Sequence, residues 1–438
     1  MKYNKQYLMW SIFSVLLVVG QTRYVNIDNN DNNEYGNSDT IKLEIGWNDV
    51  EIRNNADLHL SLLSQGYYNG IPEQYDTSYY YPSSAGKDID IIMINTGFNF
   101  RHPEFNNKEE RITKILGVYN NGTIEKVPED DYYPTPDDIV ALYNYHGEIG
   151  ADIIGGLKHG VASKANIFGI VTKTQTNPPD PHQVPILLKH ISKNIPIKPH
   201  RTILNLTFGD YFPRNETELI KEFQDSIDIF NKLGVVVIAA AGNHGLSIYG
   251  PNNDLINLPC ALDGVICVGS IDNFGINDVA AVDPVQVNNK ADLMDPKYYR
   301  RAKYSNYGDK VDIYAPGLVR FSVYDANFNN VEFIDAGTSY SSPIVAGVAA
   351  NIMSEFPEHK FDSYSMHDYL IKIGQKDIID GIMEGPNIFI NNGKRMLNYI
   401  NGEEQTFNQN VSDIEVDINV FNDDSDSDFD SDSDVDEE

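Results

Sequence analysis

Phe333-Ile334-Asp335-Ala336-Gly337-Thr338-Ser339-Tyr340-Ser341-Ser342-Pro343-Ile344-Val345-Ala346-Gly347 is the stretch on which the reading of this chain turns. An apolar run ends at Ala336, and Gly337 and Thr338 lead into Ser339. A helix of small residues then begins, with Pro343 expected in its first turn, where a missing N–H costs nothing. A hydroxyl at that point lies on the positive end of a helix, where developing negative charge is favoured. Taken alone, Gly-Thr-Ser also fits a Ser/Thr cap ahead of a buried Ala/Val helix. The surrounding chain has to decide between a cap and a nucleophile.

Upstream, short continuously apolar runs alternate with helical segments. Ile89 to Ile94, Ile167 to Val171, Thr202 to Leu206, Val235 to Ala241 and Val265 to Ile271 read as strands buried on both faces. Helices are expected around Val184 to Lys193 and from Asn215 to Leu233. The second has Leu219, Phe223, Ile227 and Phe230 on one face, and Gly234 stops it. Such alternation specifies an α/β domain with a mainly parallel central sheet. Sheets of this kind place their sites at the carboxyl ends of the strands. Asn95, Phe208-Gly209 and Asn243 fall at such ends.

A serine hydroxyl needs a base, and the base needs a third group to orient it. His146, in His146-Gly147 at the start of a glycine-rich helix, is the best candidate base; a structural histidine is the plain alternative. Asn243 can donate its amide N–H to an oxyanion, although beside two glycines it also suits a simple turn.

Taken together and in order, these segments resemble the subtilisin-like serine peptidases (subtilases), in their proteinase K and cerevisin branch. Ile91-Ile92-Met93-Ile94-Asn95-Thr96-Gly97 resembles the strand and D-T-G of the first motif, and His102-Pro103-Glu104-Phe105 completes it. His146-Gly147 matches the start of H-G-T-H, and Gly160 to Ile167 is similar to G-V-A-x-K-A-N-I. Tyr304-Ser305-Asn306-Tyr307-Gly308 and Val311 to Gly317 resemble F-S-N-Y-G and V-D-I-x-A-P-G. Pro386 to Gly393 resembles the closing segment of fungal members. The nucleophile stretch matches G-T-S-x-x-x-P-x-x-A-G. The resemblance implies a three-layer α/β fold and catalytic roles for Ser339 and His146, with Asn243 in the oxyanion hole. It implies that Thr207-Phe208-Gly209 and Ala241-Gly242 line the peptide cleft. It also implies a calcium ion as a structural option, with Asp312 among its ligands; a solvated aspartate at a strand start is the alternative.

The catalytic aspartate position of the pattern is held by Asn95. An amide carries no charge to offset the imidazolium, and if its NH2 faces the ring it favours the wrong tautomer. In a serine protease that change lowers turnover by ~10⁴, equivalent to roughly 5.5 kcal/mol of barrier. H-G-T-H has become His146-Gly147-Glu148-Ile149, and the stretch ahead of the domain is short and polar for an inhibitory propeptide. Impaired catalysis with a retained peptide-binding cleft is the expectation. An active endopeptidase in which Glu148 or water substitutes for the missing charge is the alternative. A cell-surface binding or structural protein, using its acidic tail toward cations or basic partners, is another.

The expected organisation is a signal peptide over 1–20, an Asn/Asp-rich linker over 21–55, the domain over 56–395 and an acidic tail over 396–438. Lys2 and Lys5 ahead of the apolar run Leu8 to Val19 give the secretory reading, and the run is short for a membrane span. A formal charge of −31 argues against nucleic acid as a partner. The alternating Asp and Ser from Asp423 onward cannot build a core. Cys260 and Cys267 are either a local disulfide or two small buried residues. Ile276 to Arg301 reads as a polar surface insertion. The sequons at Asn121, Asn215 and Asn410 suit surface glycans, whereas Asn205 lies in an expected core strand.

Overall fold

The structure, a computed structural model, describes residues 38–66, 77–120, 122–126, 146–172, 181–273, 285–286, 299–324 and 329–394. All of them belong to one unit. The expected signal segment and tail lie outside the described residues. So do most of the expected insertion and the sequons at Asn121 and Asn410.

Among the described residues the main sheet has 11 strands. Eight run parallel, in the order Thr113–Asn120, Asn166–Thr172, Asp90–Asn95, Thr202–Leu206, Val236–Ala240, Ile266–Asp272, Ile313–Pro316 and Ile388–Phe389. Short antiparallel strands are added at both edges and on Ile266–Asp272. The register Ile91↔Ile167 and Ile91↔Ile203 places Asp90–Asn95 between two parallel neighbours. The chain winds to one side of that strand and then to the other. Its carboxyl end, occupied by Asn95, is therefore the switch point where such sheets open a crevice.

Side chains alternate across a strand, so each face of the sheet builds its own core. Ile91 and Met93 join Ile149, Ile153, Val345 and Ala349 on one face. Ile92 and Ile94 join Leu187, Leu188, Phe223 and Ile227 on the other. Helices His146–Gly155 and Thr338–Glu355 cover the first face, and Val184–Asn194 and Thr217–Lys232 the second. The three layers are those expected.

Two expectations need correction. The folded part begins before residue 56: Ser38–Ile45 is helical, and Val50–Arg53 pairs antiparallel with Tyr79–Pro82. Isolated apolar side chains achieve this without any periodic pattern, because Ile41 and Trp47 are buried against Tyr80. Pro343 lies inside the nucleophile helix, not in its first turn. Proline supplies no N–H four residues on, so the helix leaves the Ser339 carbonyl without its usual donor.

Candidate active site

Asn95 ends its strand 3 % exposed, with three polar neighbours. Its Nδ2 donates to Thr207 Oγ1 at 2.7 Å. Its Oδ1 accepts the Thr96 backbone N–H at 2.8 Å and lies 3.0 Å from His146 Nδ1. A backbone N–H can only donate, so the atom facing both Thr96 and His146 is the oxygen. His146 therefore carries its proton on Nδ1 and leaves the Nε2 lone pair free. This is the tautomer a general base needs, and it is the reverse of the amide orientation that would block the site.

His146 begins its helix, and Gly147 lets the helix come this close to the strand. A Cβ on Gly147 would lie 2.3 Å from the Gly97 carbonyl and 2.9 Å from Asn95 Cβ. Burial pushes the His146 imidazolium down to about 4, and no charged group among the described residues opposes that. Glu148 makes no hydrogen bond to His146. It is two positions along the same helix, a spacing at which side chains do not face each other. Its carboxyl is 1 % exposed, with neither oxygen hydrogen-bonded among the described residues. Burial, then Asp152, raise its pKa well above the ordinary carboxylate value.

Ser339 is half-buried at the start of helix Thr338–Glu355. Tyr340, the next residue, has its ring centroid 5.5 Å from that of His146, so this helix start and His146 are brought together. Asn243 is exposed, and its Oδ1 accepts both the N–H and the hydroxyl of Thr338 at 2.9 Å. That fixes the amide and turns its Nδ2 toward Gly337, where a Cβ would lie 3.4 Å away. Thr338 Oγ1 also accepts the Gly242 N–H at 3.1 Å.

Asn306 shapes the loop beneath. Its Nδ2 donates to the Ala241 carbonyl at 2.7 Å, and its Oδ1 accepts the N–H groups of His244 and Leu246. Gly242 has φ +95°, and a Cβ there would lie 2.6 Å from Asn306 Nδ2, so only glycine fits. Of the expected cleft residues, Phe208 is buried, Gly209 is half-buried at its strand end, and Ala241 and Gly242 precede Asn243. The Thr207 side chain is committed to Asn95, so its contribution is made through the amide.

Asp312 does not fit a calcium site. Its Oδ2 accepts the Cys267 N–H at 2.7 Å, and its Oδ1 lies 3.4 Å from His367 Nε2. His367 also pairs through Nδ1 with Asp368 at 2.9 Å. Hydrogen bonding to Asp312 and Asp368 raises the imidazolium to about 9, so a cation already stands against this carboxylate. No group of three or more His, Cys, Asp or Glu placed to hold a metal ion occurs among the described residues. Cys260 and Cys267 form a disulfide.

The roles of Thr338, Asn306 and Tyr340 were not legible as roles, although all three sit within the quoted motifs. Each acts through a contact made only when distant segments meet.

The fold and the crevice define the class: a three-layer α/β protein of the subtilisin kind. The model of the Subtilase family matches residues 86–378, more than half of the chain, and the chain belongs to that family. It is 25 % identical over 326 residues to the subtilase-type proteinase RRT12 of Saccharomyces cerevisiae, covering 70 % of this chain and 55 % of that one. Proteinase R of Parengyodontium album is 25 % identical over 280 residues, covering 64 % and 57 %. The chain thus spans little more than half the length of these relatives. A cold-adapted subtilisin-like serine proteinase shares the fold at a TM-score of 0.53 and 20 % identity, over 77 % of this chain and 99 % of that one. No helix among the described residues is long and apolar enough to cross a membrane.

Proposed function

We propose that this chain is a secreted, subtilisin-like serine endopeptidase homologue whose hydrolysis of peptides is slowed because Asn95 stands where the family's aspartate would be. The observation that carries this reading is the 3.0 Å contact between Asn95 Oδ1 and His146 Nδ1. The tautomer suits a general base, while the charge is missing.

In this reading Ser339 Oγ attacks the peptide carbonyl carbon and its proton passes to His146 Nε2. The carbonyl oxygen becomes an oxyanion facing Asn243 Nδ2. The tetrahedral species then collapses: the C–N bond breaks and the leaving amine takes the proton back from Nε2. Water repeats the sequence to release the acyl group. The slow point is the imidazolium, which forms beside a neutral amide. At an effective dielectric near 20, a carboxylate about 5 Å away would stabilise it by roughly 3 kcal/mol, or about 10²-fold in rate. That is smaller than the loss expected with a reversed amide. The single test is peptide hydrolysis by the wild type, Asn95→Asp and Ser339→Ala, with fluorophosphonate labelling of Ser339. Rates equal in wild type and Asn95→Asp would sink the reading.

Secretion rests on the charged and apolar segment over residues 1–20. Release from expressing cells of a product beginning near Gln21 checks it, and retention of Met1 would contradict it.

A further inference from the structure

Three features of His146 converge on one neighbour. The ring is buried enough to push its imidazolium down. Asn95 gives it an acceptor without a charge. No hydrogen bond or ion pair among the described residues joins it to a carboxylate, ammonium or guanidinium; its polar contact is the neutral Asn95 amide. What does face it is Tyr340 from the nucleophile helix, with ring centroids 5.5 Å apart and planes inclined at 39°.

Tyr340 is firmly held there. It is 4 % exposed, its ring lies 6.4 Å from that of buried Phe321, and its hydroxyl donates to Asp335 Oδ2. A cation within about 6 Å of an aromatic centroid is attracted by the electron-rich face. A phenol that donates to a carboxylate is a richer π-donor than a free one, because its oxygen takes on more negative charge. The neutral imidazole gains little from this, and the imidazolium gains most, so the contact favours the charged intermediate over the resting state.

We propose that Tyr340 is a positioning residue that stabilises the His146 imidazolium through its ring, anchored by Asp335, and so replaces part of the charge that Asn95 lacks. This deepens the function proposed above and rests on it where rates are concerned. The expected contribution is about three- to thirty-fold in turnover.

The experiment separates the two readings by measuring the His146 pKa directly, independent of turnover. The imidazole of full-length Ser339→Ala protein is titrated by NMR, alone and with Tyr340→Leu, Tyr340→Phe or Asp335→Asn, the resonance being assigned with His146→Gln. Tyr340→Leu should lower the pKa by roughly 0.5 to 1.5 units. Tyr340→Phe and Asp335→Asn should lower it by less. These two milder variants answer the question if Tyr340→Leu does not fold. In parallel, kcat is measured with Ser339 intact. Tyr340→Leu should cost more beside Asn95 than in the Asn95→Asp protein, where a full charge makes the ring redundant. An unmoved His146 pKa, or an equal rate loss in both backgrounds, overturns the proposal while leaving the peptidase reading standing. A lowered pKa in a protein with no Ser339-dependent hydrolysis supports the contact and counts against the peptidase reading instead.

Discussion

Asn95 Oδ1 faces His146 Nδ1 at 3.0 Å as a hydrogen-bond acceptor, because the same oxygen also takes the Thr96 N–H. The amide thus does half of what a carboxylate would do. It selects the tautomer and fixes the ring, and it leaves the imidazolium without a counter-charge.

Thr207 completes that arrangement by accepting from Asn95 Nδ2. Thr207→Val keeps the shape and removes the acceptor, leaving a buried amide N–H unpaired at a cost of about 1–3 kcal/mol. The expected outcome is a lower melting temperature, and slower hydrolysis because the amide is no longer held with Oδ1 toward His146. Thr207→Ser should restore both. A Thr207→Val protein as stable and as active as the wild type would show that Thr96 alone holds the amide.

Glu148 provides a pH test with a definite sign. Its folded pKa is raised above the unfolded value, so keeping this carboxyl buried costs stability as pH rises above the ordinary carboxylate range. Glu148→Gln carries no charge at any pH. Its melting temperature relative to wild type should therefore improve as pH rises above the ordinary carboxylate range, and its hydrolysis rate should match wild type. A large rate loss would restore Glu148 as the substitute for the missing charge.

At Asp312 both carboxylate oxygens are engaged, by the Cys267 N–H and by His367. A chelator should leave the melting temperature unchanged at neutral pH, and added calcium should not raise it. His367→Ala removes the resident cation, and that variant should be destabilised and newly responsive to calcium. A wild-type melting temperature that falls on chelation would show a calcium ion bound elsewhere.

The strands were legible because burial on both sheet faces demands unbroken apolar runs, as in Ile91 to Ile94 and Val236 to Ala240. The amphipathic helix Thr217–Lys232 was legible from Leu219, Phe223, Ile227 and Phe230, all of them buried. That the start of the Ser339 helix lies beside both His146 and Asn243 agrees with the motif order. The direction of the Asn95 amide was not legible, since it is fixed by contacts at both ends of the amide, to the Thr96 N–H and to Thr207, which lies 112 residues away. Nor was the fate of Asp312, settled by His367 on a later helix. The helix and strand between residues 38 and 53 stay hidden for a related reason. Two anchors, Ile41 and Trp47, hold them without giving a periodic signal.

The acid limb of the rate profile should also move. With Asn95 in place, His146 titrates low, so hydrolysis should already be at its plateau near neutrality. A carboxylate at that position favours the imidazolium, so the limb in Asn95→Asp should shift to higher pH. An unshifted limb would mean that the new carboxylate does not reach His146.

The most direct measurement is kcat for peptide hydrolysis by wild type and Asn95→Asp side by side at neutral pH, with Ser339→Ala as the blank. Restoring the charge should raise kcat roughly 10²-fold, and Ser339→Ala should abolish both rates. A wild type that cleaves as fast as Asn95→Asp, with both rates lost in Ser339→Ala, would contradict the claim that the missing carboxylate limits this site.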